Sequence, residues 1–242
     1  MKPSTLDPRV RLALAALAAL CLALAQQISS GLLGLALGLG LLCLARPPAA
    51  DLLRRFATVN IFVCFLWCVL PFTTPGERIF FGGLPASLPG LRLALLITLK
   101  ANAIFCVFQA LAGDMPPSAA GCALERLGCP AKLVFLFLVT ARYVHLLMEE
   151  WQTLMAAAKL RGFAPRAGLR AWRVIACLLG LLLVRSYERS RRTYEAMRLR
   201  AFTGNFRTVT LFQTRPADAA LAFAVLFFLA GIVLAEAGIV RV

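Results

Sequence analysis

Apolar residues come in long blocks along this chain, with little strict alternation. Blocks at 10–28, 31–45, 56–72, 91–112 and 217–239 are broken by short polar or proline-containing joints. A helix that crosses a bilayer needs about 20 mostly apolar residues, within about 17–25. We read these five blocks as membrane-spanning helices, the second short and glycine-rich, the third ending at Pro71. Two further apolar stretches, 131–148 and 171–184, each run into a charged helical pattern and have no clean boundary.

Between the fourth and last blocks the pattern changes. Met115-Pro116-Pro117 breaks the fourth helix, because proline lacks an amide donor and clashes with the preceding turn. A short amphipathic segment, 118–127, ends at Gly128-Cys129-Pro130. Two long helical patterns follow, 131–161 and about 168–200, closed by Gly162 with Pro165 and by Gly204. Both exceed the usual globular range of about 8–20 residues. Each is apolar in its first half and charged in its second, so it can lie in the membrane boundary and project into the cytoplasm. The expected architecture is an all-α polytopic membrane protein. About five transmembrane helices would accompany a cytoplasmic domain of one short and two long amphipathic helices. The divisions fall at 1–112, 113–215 and 216–242.

Charge supplies the orientation. Lys2, Arg9 and Arg11 precede the first block, and Arg46, Arg54 and Arg55 lie between the second and third. The joint at 26–30 has no charge, and that at 73–90 has only Glu77 and Arg78. Residues 113–215 carry 16 of the 26 Lys and Arg and 6 of the 11 Asp and Glu, a net +10 of the chain's +15. Alternating helices put these basic segments on one side, which the positive-inside rule makes cytoplasmic. The N-terminus is then inside and the C-terminus, with Arg241, outside. Ala23-Leu24-Ala25 mimics a signal-peptide cleavage site. The rest of the chain is equally apolar, so we read the first block as an uncleaved anchor.

Composition removes whole classes. The chain is 61% hydrophobic with a mean hydropathy of +0.82, against about 45–50% apolar in soluble domains. An ordinary soluble enzyme is excluded, and so is a disordered basic tail, which requires low hydrophobicity. No nucleic-acid partner is expected. One histidine, His145, cannot make a multi-histidine metal site. The eight cysteines lack CxxC spacing; Cys64 and Cys68 lie one turn apart in an apolar run, where thiols act as small hydrophobes. No lysine is followed by Ser or Thr, so the chain carries no P-loop.

The two long helices end alike. Ala157-Ala158-Lys159-Leu160-Arg161-Gly162-Phe163 is repeated as Ala196-Met197-Arg198-Leu199-Arg200-Ala201-Phe202, at an offset of 39 residues. Arginine in a last turn suits the negative end of the helix dipole, and glycine just beyond permits the left-handed closing residue. That much describes any good helix C-terminus. The shared register adds a second reading, in which Arg161 and Arg200 each form bidentate pairs with acidic groups of a partner, with Phe163 and Phe202 as apolar anchors. Upstream, Arg185, Arg189 and Arg192 share a face, which also suits anionic lipid headgroups. Glu188–Arg192 and Glu195–Arg198 have pairing distance along the helix. Glu149 and Glu150 are candidate partners for arginines of the second helix.

With these residues in view, the chain resembles the CbiQ-type transmembrane (T) component of energy-coupling factor (ECF) transporters over nearly its whole length. The resemblance begins at Leu6-Asp7-Pro8-Arg9-Val10-Arg11-Leu12 and continues through Leu124-Glu125-Arg126-Leu127-Gly128-Cys129-Pro130. It is strongest in Arg142-Tyr143, Glu149 or Glu150, and Ala158 to Phe163, and closes over Arg185-Ser186 to Phe202. The family's two Ala-Arg-Gly-like coupling motifs map to Leu160-Arg161-Gly162 and Leu199-Arg200-Ala201, with leucine for the first alanine and Ala201 for the usual glycine. The resemblance implies a non-catalytic subunit of a bacterial inner-membrane importer for cobalt, or for nickel. It implies two ATP-binding cassette ATPases as partners, which bind ATP and Mg, and a separate substrate-binding membrane subunit. No cofactor or metal is expected on this chain. The rival from another class is a secondary transporter with a midplane site, for which Lys100, in the fourth block, is the candidate. A membrane enzyme would need a nucleophile–base or two-carboxylate constellation, for which the chain offers little.

Overall fold

The structure is a computed structural model that describes residues 7–75, 78–81, 84–164, 168–202 and 216–239. The described helices are α1 (Pro8–Leu24), α2 (Ile28–Ala45), α3 (Ala49–Thr73), α4 (Leu88–Ala112), α5 (Pro117–Arg126), α6 (Ala131–Leu160), α7 (Leu169–Leu199) and α8 (Pro216–Ile239). The all-α class holds, with one local addition. The joint between α3 and α4 carries a small antiparallel hairpin, β1 (Arg78–Phe81) and β2 (Leu84–Ser87), pairing Arg78 with Ser87 and Phe81 with Leu84. Ser87 then caps α4, its Oγ accepting from the Gly90 N–H at 3.3 Å.

By length and composition, α2, α3, α4 and α6 are the described helices long and apolar enough to cross a membrane. Three of these, α2, α3 and α4, belong to the expected set of five, with α1 and α8 the other two. At 17 residues α1 lies at the lower limit of the spanning range, and α8 runs 24 residues, Pro216–Ile239, with side chains described over Ala219–Leu234. Conversely α6, read from sequence as a boundary helix, qualifies. Its apolar half and charged half are one unbroken helix, so the composition of either half alone understates its reach.

The chain divides at Pro116/Pro117 into two compact units. In the first, α4 is the central helix. It runs parallel to α2, whose Gly31, Gly34 and Gly38 let the backbones approach. A Cβ on Gly38 would stand 2.8 Å from Cys106 Cβ and 3.1 Å from the Ala103 carbonyl, and one on Gly31 3.2 Å from Leu99 Cβ. Small residues are favoured at such contacts in membranes, where dispersion rather than the hydrophobic effect holds helices together. α1 and α8 complete the core with Leu14, Ala18, Leu22, Val225, Leu229 and Ile232.

α3 meets α4 through polar contacts. Arg55 Nη1 donates to Gln109 Oε1 (3.1 Å), Asn60 and Asn102 exchange side-chain amide bonds (3.1 and 3.3 Å), and Trp67 Nε1 donates to Thr98 Oγ1 (2.8 Å). Each pair satisfies groups that hydrocarbon would leave without a partner.

In the second unit, α5 packs on α6 by way of Gly121, which faces Leu138. α5 ends at Gly128, φ +89°, with the Cys129 N–H donating to the Leu124 carbonyl at 3.1 Å. Helices α6 and α7 are antiparallel, as three contacts along them establish. Phe135 lies against Phe202 with ring centroids 5.5 Å apart, Tyr143 Oη is 3.3 Å from Thr193 Oγ1, and Glu150 meets Arg185 and Arg189.

Candidate functional site

The helix ends read from sequence as a repeat are also repeated in geometry. At the end of α6 the Gly162 N–H donates to the Lys159 carbonyl (3.0 Å) and the Phe163 N–H to the Ala158 carbonyl (3.0 Å). At the end of α7 the Ala201 N–H donates to Arg198 (3.0 Å) and the Phe202 N–H to Met197 (3.1 Å). Both are Schellman closures, which satisfy the last carbonyls through a left-handed residue. Gly162 takes φ +85° and Ala201 φ +54°. The glycine adopts this freely; the alanine does so against its Cβ.

The closures present the same residues. Leu160 and Leu199 are 91% and 90% exposed. Arg161 and Arg200 are exposed beside them, as are Gly162 and Ala201. The phenylalanines turn the other way. Phe163 and Phe202 are half-buried, and Phe202 rests on Phe135. The apolar residue offered outward at each end is therefore leucine, and phenylalanine ties the turn back to its own unit. Sequence reasoning grouped Leu160, Phe163, Leu199 and Phe202 in one contact, because a linear frame does not show which way the Schellman turn throws its sixth residue. Since α6 and α7 are antiparallel and about 45 Å long each at 1.5 Å per residue, Arg161 and Arg200 stand at opposite ends of the pair.

Between the ends lies an ionic cluster. Glu150, its side chain 12% exposed, accepts from Arg189 Nη2 at 3.0 Å and lies 3.5 Å from Arg185 Nη1. Of the two candidate carboxylates, Glu150 is thus the one joined to α7; Glu149 is exposed and its carbonyl receives Thr153 Oγ1 (2.9 Å). The intrahelical pairs differ from those the spacing suggested. Glu195 pairs with Arg191 (3.1 Å), Arg198 sits over the Tyr194 ring at 6.0 Å, and Arg192 Nε reaches the Glu188 carbonyl (3.4 Å). The i,i+4 rotamer wins over i,i+3 for Glu195, and an aromatic face lies within reach of Arg198. Arg142 and His145 are exposed on α6.

Two residues that sequence left undecided have structural partners. Lys100 Nζ donates to the Ala23 carbonyl (3.0 Å), a cation at the C-terminal end of α1. Arg11, 4% exposed, donates from Nε to the Leu111 carbonyl (2.7 Å) at the end of α4. Among the described residues no group of three or more His, Cys, Asp or Glu could hold a metal ion. Pro165, Gly204 and Arg241 lie outside the described residues.

A polytopic helical membrane protein with a paired-helix unit is a class of many families. The family is fixed by comparison. Residues 2–211 match the family model CbiQ, cobalt transport protein, and the chain belongs to that family of transporter membrane components. Over 141 residues it is 30% identical to the energy-coupling factor transporter transmembrane protein EcfT of Leuconostoc gelidum subsp. gasicomitatum, covering 53% of each chain. Over 144 residues it is 31% identical to the cobalt transport protein CbiQ of Rhodobacter capsulatus, covering 59% of this chain and 57% of that one. A shorter match, 32% over 83 residues, covers 34% of this chain and 30% of the nickel permease LarQ of Lactiplantibacillus plantarum. The chain spans little more than half the length of the first two relatives.

Proposed function

We propose that this chain is the transmembrane energy-coupling subunit of an ECF-type importer of cobalt ion in the bacterial inner membrane. The N-terminus and the α5–α7 unit face the cytoplasm, where most of the basic residues belong by the positive-inside rule. Two ATP-binding cassette ATPases bind ATP and Mg, and a separate membrane subunit binds the ion. The observation that carries the reading is the duplicated Schellman tip, with one exposed leucine and one exposed arginine at each of two opposite ends.

The physics runs from tip to helix. An arginine fork forms paired, charge-assisted hydrogen bonds with a carboxylate, and an adjacent leucine supplies buried area. Tips at opposite ends of an antiparallel pair suit two separate ATPases, one at each end. When those ATPases close on ATP, the tips are displaced together, and stiff helices carry the displacement along their length. The apolar first halves of α6 and α7 meet the substrate-binding subunit and reorient it. No chemical step falls to this chain.

Arg161→Glu and Arg200→Glu test the reading. Each should reduce ATPase co-purification by about tenfold or more, since a buried charge pair broken from one side loses several kcal/mol. The double variant should abolish uptake while still inserting in the membrane. Normal uptake with retained ATPase would overturn it. The relatedness to a nickel permease supports a second reading, the same role with nickel. Competition between labelled cobalt and labelled nickel uptake by the whole complex separates the two. The secondary-transporter reading would need Lys100 for uptake, whereas the coupling reading gives it a structural bond to the Ala23 carbonyl, and Lys100→Met separates the two.

A further inference from the structure

Beside the first tip, α6 and α7 enclose an open groove of about 600 Å³. It is lined by the aliphatic Leu154, Leu178 and Leu181, with Arg161 and Arg170 toward the tip and Arg185 about 22 Å along α7 from Arg170, past the leucines. Among the described residues no carboxylate lines it. Arg185 is shared with Glu150, whereas Arg161 and Arg170 are exposed and no ion pair holds either among the described residues. Next to Arg170, Leu169 is 90% exposed and Trp172 68%. Arginine, tryptophan and leucine side by side on an exposed surface are the residue set of a membrane–water interface.

A groove lined by leucines, with guanidinium groups toward the tip, matches a ligand that is apolar along one part and anionic at one end. We propose that this groove is a binding site for one anionic phospholipid. Its phosphate lies against Arg170 and Arg161, and the start of an acyl chain lies along Leu178 and Leu181. Charge complementarity selects an anionic headgroup over a zwitterionic one, because no acidic side chain among the described lining residues stands ready to pair with a choline or ethanolamine. An acidic peptide would match the arginines but leave the leucines uncovered. The groove shares Arg161 with the proposed ATPase contact and α7 residues with the proposed subunit contact, so the lipid is a ligand of the chain without its partners. Arg170, which has no part in the ATPase contact, separates failure of lipid binding from failure of the coupling reading.

The test uses the full chain, purified alone in detergent with an equimolar mixture of phosphatidylglycerol and phosphatidylcholine, and the retained lipid counted by mass spectrometry. Phosphatidylglycerol should be retained in preference, and less so as salt rises. Arg170→Gln should weaken that retention about fivefold, the factor that corresponds to ~1 kcal/mol for one basic contact with an anionic lipid. Lys132→Gln, exposed at the other end of α6, should leave it unchanged. Quenching of Trp172 by brominated phosphatidylglycerol, measured in a Trp67→Phe/Trp151→Phe background, should exceed quenching by brominated phosphatidylcholine. Equal retention of the two lipids, no effect of Arg170→Gln, or an equal effect of Lys132→Gln would each overturn the proposal.

Discussion

Along α4, Ala94, Ala103, Cys106, Val107 and Leu111 are buried against the small residues of neighbouring helices; along the 31 residues of α7, none is buried. The first unit draws its cohesion from within. Glycines admit backbones to close range, and the polar side chains of α3 and α4 find one another. The second holds its long helices by a few spaced contacts and leaves Leu183, Val184, Tyr187 and Tyr194 exposed. Contiguous apolar surface of that kind is covered by lipid or by another protein when the molecule is at work. Apolar side chains such as Ile61, Phe62 and Phe223 are exposed on the first unit too, so the lesson lies inside: one unit closes on a core of its own and the long helices of the other do not.

The largest effect that would break this comparison lies in the first unit. Gly38→Val places side-chain atoms where Cys106 and the Ala103 carbonyl already stand, and should lower stability by about 3 kcal/mol. A thermal unfolding series in detergent reads it, and a variant as stable as the parent would show that α2 and α4 have room to separate. In the open unit, Glu150→Gln removes the shared partner of Arg185 and Arg189. Both arginines are more than a third exposed, so solvent screens the pair and the loss should be about 1 kcal/mol. A double-mutant cycle with Arg189→Gln should return a coupling energy of that size, and additive losses would contradict it. Ala201→Gly should release the left-handed strain at the second tip and gain up to about 1 kcal/mol locally. Slower amide exchange of Phe202 measures this. Smallest of all, Lys100→Met should leave ion uptake near the parental level, a modest fall in stability marking the lost contact with Ala23.

Much of the fold was legible because apolar runs and prolines mark helices directly. Pro117, Pro130 and Gly128 delimit α5 and the start of α6 within a residue of their sequence-based positions. The tips were legible too, since a frame repeated at 39 residues survives without coordinates. What escaped depends on distance along the chain. Arg11 reads as a cytoplasmic flanking charge, yet it is buried against a carbonyl 100 residues away. Lys100 reads as a costly intramembrane cation, and its acceptor is a backbone oxygen, which no residue pattern announces. The glycines of α2 signal close approach but not to which helix. Leu160 and Leu199 stand in the sequence motif, but their near-complete exposure depends on the turn that follows each helix.

The carboxylate of Glu150 has one further consequence. Its two arginine partners are successive on one face of α7, four residues or about 6 Å apart along the helix axis. A carboxylate can pass from one guanidinium to the other without ever being left alone. The joint between α6 and α7 is therefore a clasp with two fastenings, Arg189 at 3.0 Å and Arg185 at 3.5 Å, so that opening one leaves the helices joined by the other.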